Sequence, residues 1–382
     1  MTRRALLIAA AVIALALYLP AVALGHETNT PSPTPTSTPT PTLTPTAIAS
    51  PASAPSAAPS PVVAPVAASS PAQGPDTPSI LRPESPGGAD IKTLTIQILV
   101  ILSGVAITVW VILTIVILRY RHRPEAEVRQ THGNLTIEII WTAIPAVIIA
   151  VLFFLTIRTT GQLAIPASTQ VHFAATGHRW WWEFEFAGAT FKTANEIHLP
   201  AEQTVSADLL STDVIHSYWV PQMGGKVDMI PGHINRISFT PATVGTFLGE
   251  CSEYCGHQHA NMRFLVFVDS SADFARWMAD EQRPARKPTA PEAVAGAEFI
   301  TTMACGGCHT IRGTSLAGEK GPDLTHFGSR ATLGAVALRN TPENLTRWLE
   351  DPQAVKPENL MPRIQMPADR IAQLVAYLEE LK

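Results

Sequence analysis

Apolar and polar positions divide the chain into blocks with different periods. Ile98 to Leu118 (ILVILSGVAITVWVILTIVIL) and Ile137 to Ile157 (IEIIWTAIPAVIIAVLFFLTI) are almost unbroken apolar runs. Each is near the roughly 20 residues a helix needs to cross a bilayer, so residues 91–160 are predicted to form a transmembrane hairpin. Between the runs lie Arg119, Arg121, Arg123 and Arg129. Positive loops stay cytoplasmic, which places both hairpin ends and everything after Arg158 outside. Over residues 161–270 the pattern shortens to TQVHFAAT, EIHLP, TVSADLLS, RISFTP and RFLVFV, separated by Gly and Pro. That spacing predicts a compact β-sandwich or barrel. Residues 271–293, containing DEQRPARKPTAPEA, are charged and Pro-rich and read as a linker. The last block, 294–382, ends in ADRIAQLVAYLEELK, where Ile371, Leu374, Val375 and Leu378 share one helical face. The predicted fold class is multidomain: a two-helix transmembrane hairpin, an all-β domain and a small all-α domain.

Composition changes the picture at the N-terminus. Residues 1–25 carry Arg3 and Arg4, an apolar run from Ala5, and small residues near Ala23 to Gly25. This order predicts an export signal peptide cleaved between Ala23 and His26, with an uncleaved anchor as the alternative. Residues 26–90 are largely Pro, Thr, Ser and Ala, as in PSPTPTSTPTPTLTPT. Such a segment has too little apolar surface to offset its ordering entropy and reads as a disordered linker. The net charge of −4 comes without a clustered basic face, which excludes nucleic acid as a partner. Glu138 is the sole carboxylate in either apolar run, at the cytoplasmic edge of the second. It reads either as an interfacial charge or as a group that takes up protons.

The four cysteines fall in two compact motifs, so they read as cofactor ligands or attachment points. Cys305, Gly306, Gly307, Cys308 and His309 form C-x-x-C-H. Two thiols at that spacing can add to the vinyl groups of one haem while the adjacent imidazole coordinates its iron. Opposite the imidazole a thioether raises the potential, and NLMPRIQMP offers Met361 and Met366. The stretch CSEYCGHQHANM, Cys251 to Met262, gathers two Cys, two His and one Met. Its spacing alone suits zinc or a mononuclear blue-copper ion, and leaves the number of ions open. The softness of the side chains favours copper. His257 reads as a surface histidine, and His178, His198 and His233 as strand or turn residues.

Further motifs join these fragments. IEIIWTAIPA, GHRWWWEF, DVIHSYWVP, KVDMIPGH and the cysteine loop occur in order behind the hairpin. Together they resemble subunit II of the haem-copper cytochrome c oxidases, from about Ile91 to Asp269. The last block resembles class I cytochromes c, with GPDL at Gly321 to Leu324 and Ala376, Tyr377 and Leu378 in the final helix. The order of parts resembles the caa-type oxidases, in which a cytochrome c is fused to subunit II.

The resemblance implies a cupredoxin-like copper domain and a cytochrome c domain. It implies a dinuclear copper (CuA) centre bridged by Cys251 and Cys255, capped by His216 and His259, with Met262 as a weak ligand and Glu253 giving its backbone carbonyl. The Glu253 side chain would lie near a magnesium or manganese ion shared with subunit I. It implies one covalent haem c on Cys305 and Cys308, with His309 and Met361 as axial ligands, Arg330 near a propionate and Pro322 against His309. Electrons would be taken up at Trp180, and Glu138 would stand at the mouth of a proton channel. Asp213 is a further candidate near the copper.

The implied partners are subunit I, bearing haem a and CuB, subunit III, an external electron donor and membrane lipid. The implied location is a bacterial plasma membrane, with the copper and haem domains on its outer face. Neither apolar run contains a histidine, so oxygen reduction and proton pumping would belong to the complex. The fused haem would be supplied by tethering, at an effective concentration on the order of millimolar for a short flexible linker. The rival readings are a quinol oxidase subunit II, which lacks the copper ligands, a copper-containing nitrous-oxide or nitric-oxide reductase component, and a tethered electron carrier or copper-storage protein.

Overall fold

The computed structural model describes residues 78–121, 132–163, 165–166 and 168–382. The expected signal peptide, most of the Pro-rich segment, and Arg123 and Arg129 of the loop lie outside the described residues.

Two long helices, α1 (Pro86–Tyr120) and α2 (Leu135–Gln162), have mean hydropathies of 2.7 and 2.5 and are long and apolar enough to cross a membrane. Helix α1 starts inside the stretch expected to be linker because Ser85 caps it, accepting from Gly88 N at 2.9 Å, with Pro86 in the first turn. The same Ser85 hydroxyl donates to Met223 O at 2.5 Å, and Glu84 N donates to Gln222 O at 2.7 Å. The start of the hairpin is therefore fastened to the β-domain. At the start of α2, Asn134 accepts from Ile137 N and Glu138 accepts from Asn134 N. Glu138 thus closes a reciprocal cap, a local role beside the two expected from sequence.

The β-domain contains β1 (Val171–His178), β2 (Trp181–Phe186), β3 (Lys192–Ala194), β4 (Glu196–Pro200) and β5 (Val205–Ser211). It continues with β6 (His216–Trp219), β7 (Val227–Met229), β8 (Asn235–Phe239), β9 (Gly245–Cys251) and β10 (Arg263–Asp269). They form two sheets, ordered β3-β2-β1-β5-β8 and β4-β10-β9-β6-β7. Pairing is antiparallel except for β1 with β5 and β4 with β10. Alternate residues of β1, β2 and β10 point inward, among them Phe173, Trp182, Phe184, Phe264 and Val266. Trp182 and Phe264 lie 4.8 Å apart, and Phe264 and Tyr218 5.0 Å apart, in the centre of this core.

Residues 271–281 depart from the expected linker: they form helix α3 (Ser271–Glu281). Phe274, Trp277 and Met278, three and four positions apart, give it one apolar face that packs on the β-domain core. Trp277 also stacks on His198 at 4.5 Å, and His198 stacks on Phe267 and bonds Asp269 at 2.6 Å. Charge within this segment and proline just after it concealed a short amphipathic helix.

The C-terminal domain consists of α4 (Pro291–Thr302), a two-strand ladder of β11 (Thr332–Leu333) and β12 (Leu338–Arg339), α5 (Pro342–Glu350), α6 (Pro352–Val355) and α7 (Ala368–Glu380). Helices α4 and α7 cross closely at Gly296, where a Cβ would lie 2.0 Å from Gln373 O. Their shared core includes Ile300, Leu345, Ile371, Leu374 and Leu378.

Candidate metal and haem sites

Strand register builds the first site. Strands β6 and β9 pair Tyr218 with Cys251. His216, two residues earlier on the same face, is thereby brought to Cys251, with Nδ1 3.8 Å from Sγ. Cys251 Sγ lies 3.8 Å from Cys255 Sγ and 3.2 Å from Glu253 O. Cys255 Sγ in turn lies 3.6 Å from His259 Nδ1 and 3.8 Å from Met262 Sδ. The expected ligands thus form a row of His216, Cys251, Cys255 and His259, with Met262 and the Glu253 carbonyl at its sides. Donor atoms of His216, Cys251 and Cys255 all fall within 4.8 Å of one another. Both thiols are free and buried, far beyond disulfide distance. Two thiols, two imidazoles and a thioether are a soft donor set that fits copper.

Polar neighbours orient this set. His216 Nε2 bonds Asp213 Oδ1 at 2.8 Å, leaving Nδ1 toward the sulfur. Burial raises the Asp213 carboxyl, but hydrogen bonds from His216, Val214 N and Arg179 N outweigh it and hold it at about 2. Contact with Cys255 pulls the Cys251 thiol below the ordinary thiol range against the opposing effect of burial, with help from His216 and Glu253. The same contact pushes Cys255 up. The thiolate is the form in which either sulfur binds metal. Gly177 leaves room for the imidazole, since a Cβ there would sit 2.8 Å from the His216 ring.

The three tryptophans have separate fates. Trp182 is core. Trp181 stacks on His178 at 4.1 Å. Trp180 donates from Nε1 to Cys255 O at 2.9 Å and is only 7% exposed. Gly256, at φ +116°, lets the loop lie against that indole; a Cβ there would be 2.9 Å from Trp180 Cζ2. His257 is exposed and bonds Glu358 instead of joining the cluster. The sequence offers Asp213 only as a candidate near the copper; its place three residues before His216 is the signal for an orienting carboxylate.

The second site is built from loops. A 3-10 turn at Ala304–Gly307 carries Cys305 and leads into Cys308 and His309, with His309 N donating to Cys305 O at 2.9 Å. His309 Nδ1 bonds Pro322 O at 2.8 Å, leaving Nε2 for a ligand. Burial lowers the pKa of this imidazole below its ordinary value, which favours the neutral form a metal requires. Gly321 lies against the ring, where a Cβ would be 2.8 Å from His309 Cε1. Both Met361 and Met366 pack on the domain core. Met361 is the better fixed, with Trp348 Nε1 3.2 Å from its sulfur, its carbonyl bonded by Gln353 and its N–H by Asn359. Arg330 donates to Asp323 O. Two free, half-buried thiols, a pinned imidazole and two thioethers fit a covalently attached haem.

Three family descriptions match the chain: "Cytochrome C oxidase subunit II, transmembrane domain" over residues 82–158, "Cytochrome C oxidase subunit II, periplasmic domain" over 188–269, and "Cytochrome c" over 293–382. Cytochrome c oxidase subunit 2 of Alkalihalophilus pseudofirmus is 33% identical over 318 residues, covering 81% of this chain and 92% of the relative. The subunit 2 of Bacillus sp. strain PS3 is 32% identical, covering 66% of this chain and 76% of that protein. The crystal structure of the periplasmic domain of subunit II of the Bradyrhizobium japonicum cytochrome oxidase is 29% identical, covers 31% of this chain and 96% of that chain, and has a TM-score of 0.30.

A membrane hairpin, a β-sandwich with a soft-metal site and a haem-binding helical domain define a membrane-bound electron-transfer subunit. The chain belongs to the cytochrome c oxidase subunit 2 family, in a form with a fused C-terminal cytochrome c domain. It is a part of the haem-copper oxidase complex, with subunit I as a partner. The β-domain carries copper, the C-terminal domain carries haem, and the β-domain faces the outer side. The reductase and free-standing carrier readings are not favoured.

Proposed function

We propose that the chain relays electrons from an external donor through its own haem c and a dinuclear copper centre to subunit I, where oxygen is reduced and protons are pumped. The observation that carries this reading is the row of His216, Cys251, Cys255 and His259, with contacts of 3.8, 3.8 and 3.6 Å. Two sulfurs stand in the middle and one imidazole at each end, the order suited to two ions bridged by two thiolates. Such a centre supplies a one-electron couple whose charge is spread over two ions. Met262 and the Glu253 carbonyl complete the ligand set, and Asp213 holds the tautomer of His216. In the C-terminal domain, Cys305 and Cys308 would attach haem c and His309 and Met361 would ligate its iron, and the group would supply the second one-electron couple.

Trp180, bonded to the carbonyl of a bridging cysteine, is the contact through which the β-domain receives the electron. The Glu253 side chain borders a magnesium or manganese ion at the subunit I boundary, and Glu138 takes up protons on the cytoplasmic side. Subunit III completes the assembly, in a bacterial plasma membrane with the copper and haem domains outside. Cys251→Ser or Cys255→Ser is expected to abolish the copper paramagnetic resonance pattern shared over two nuclei while the haem c spectrum stays intact. Persistence of the shared pattern in either variant would remove the bridging assignment.

A further inference from the structure

Two buried ionisable side chains, one basic and one acidic, cross between the copper and haem domains, and neither belongs to the set of cofactor ligands. Lys356, 2% exposed, follows α6 in the haem domain. Its Nζ donates to Trp180 O at 2.7 Å and Asn261 O at 2.8 Å in the copper domain, and to Gly334 O at 2.9 Å in its own. All three ammonium N–H groups thus have acceptors. Glu196, 5% exposed, lies at the start of edge strand β4 in the copper domain. Its carboxylate accepts from Ala331 N at 3.0 Å, Thr332 N at 2.7 Å and Thr332 Oγ1 at 2.6 Å, all in the haem domain. Each domain therefore inserts one ionisable side chain among polar groups of the other. A buried ionisable group is tolerated only when it is fully hydrogen-bonded, so both sets of three bonds must be kept in register together.

The geometry ties this interface to the electron route. Lys356 holds the carbonyl of Trp180, the residue whose indole bonds Cys255 O at 2.9 Å. On the haem side Lys356 is joined to Met361 by a short segment stiffened by hydrogen bonds from Gln353 and Asn359. Gln258 of the copper loop adds a bond to Pro357 O at 2.9 Å.

We propose that Glu196 and Lys356 are positioning residues that lock the haem domain onto the copper domain in one electron-transfer pose. The chain is then a docked relay, and the covered Trp180 is served by its own haem domain, so an outside donor delivers electrons to the haem. This rests on the haem-to-copper reading above.

The test uses the purified oxidase complex carrying Lys356→Met or Glu196→Gln. The reads are copper resonance, haem c absorption, both reduction potentials, and the rate of haem c to copper transfer after flash reduction, in buffers of increasing viscosity. Both variants should keep spectra and potentials but transfer about tenfold or more slowly, because a freed domain loses charge-assisted bonds and must search for its pose. Their rates should fall with viscosity while the wild-type rate does not. If either variant fails to assemble its cofactors, Thr332→Val, which removes one hydroxyl from Glu196, replaces it and should slow transfer by a few fold. Wild-type rates without viscosity dependence in the assembled variants would overturn the lock. With reduced soluble cytochrome c as donor, wild-type haem c should be reduced before copper; copper reduced first would overturn the closure of Trp180. Failure of the underlying reading looks different: wild type itself would show no haem-to-copper transfer.

Discussion

The copper loop and the haem loop gather similar candidate ligands, yet the protein prepares them to different degrees. At the copper site the cluster atoms His216, Cys251, Cys255 and Met262 are all buried by protein, and Asp213 and strand register set the geometry. At the haem site Cys305, Cys308, Met361 and Met366 are only half-buried. With haem attached as proposed, their remaining surface would be covered by that large apolar group. A small ion can enter a finished pocket, whereas a haem must help to finish its own.

The comparison is broken or sharpened most by removing each group. Copper extraction is expected to leave the far-ultraviolet circular dichroism of the chain unchanged. A Cys305→Ala, Cys308→Ala chain should lose haem, helical signal and protease resistance across 294–382, since a ligand that binds only the folded state no longer contributes to its stability. Equal loss in both cases would erase the distinction.

Single substitutions come next. Met361→Ala is expected to abolish the sulfur-to-iron charge-transfer band, because it removes the thioether sulfur itself; loss only in Met366→Ala would move the ligand assignment. Asp213→Asn should keep the copper site but weaken metal retention about 10–100-fold, the usual effect of removing an orienting partner. Competition with a chelator measures it.

The smallest effect concerns acid. Burial holds His178 at about 4, below 6.5, with the attraction of Asp213 too weak to restore it. Its Nε2 is buried without a hydrogen-bond partner. With the folded pKa depressed, the unfolded chain takes up the proton first. The contribution of His178 is therefore fully present above pH 6.5 and is lost as pH falls toward 4. Denaturant midpoints for loss of the copper signal should decline across that window in wild type and decline less in His178→Phe.

Much of this molecule was legible because its signals are local. Two apolar runs, C-x-x-C-H and CSEYCGHQHANM each lie within a short stretch of chain, where period and spacing follow from backbone geometry alone. The resemblance added His216, which no spacing rule reaches. Helix α3 was hidden because charged and proline-rich composition outweighed its short apolar face. The separate fates of Trp180, Trp181 and Trp182 were not legible, since consecutive identical residues carry no facing information until the turn into β2 is set.

The sequence by itself determined the order of parts, the membrane hairpin and the types of ligand. Only the tertiary structure decided that His216 stands beside Cys251, that Asp213 selects its free nitrogen, and that the two domains are joined by Glu196 and Lys356. Those pairings connect residues far apart in the chain, and they arise from strand register and from the need of a buried charge to find every hydrogen-bond partner at once.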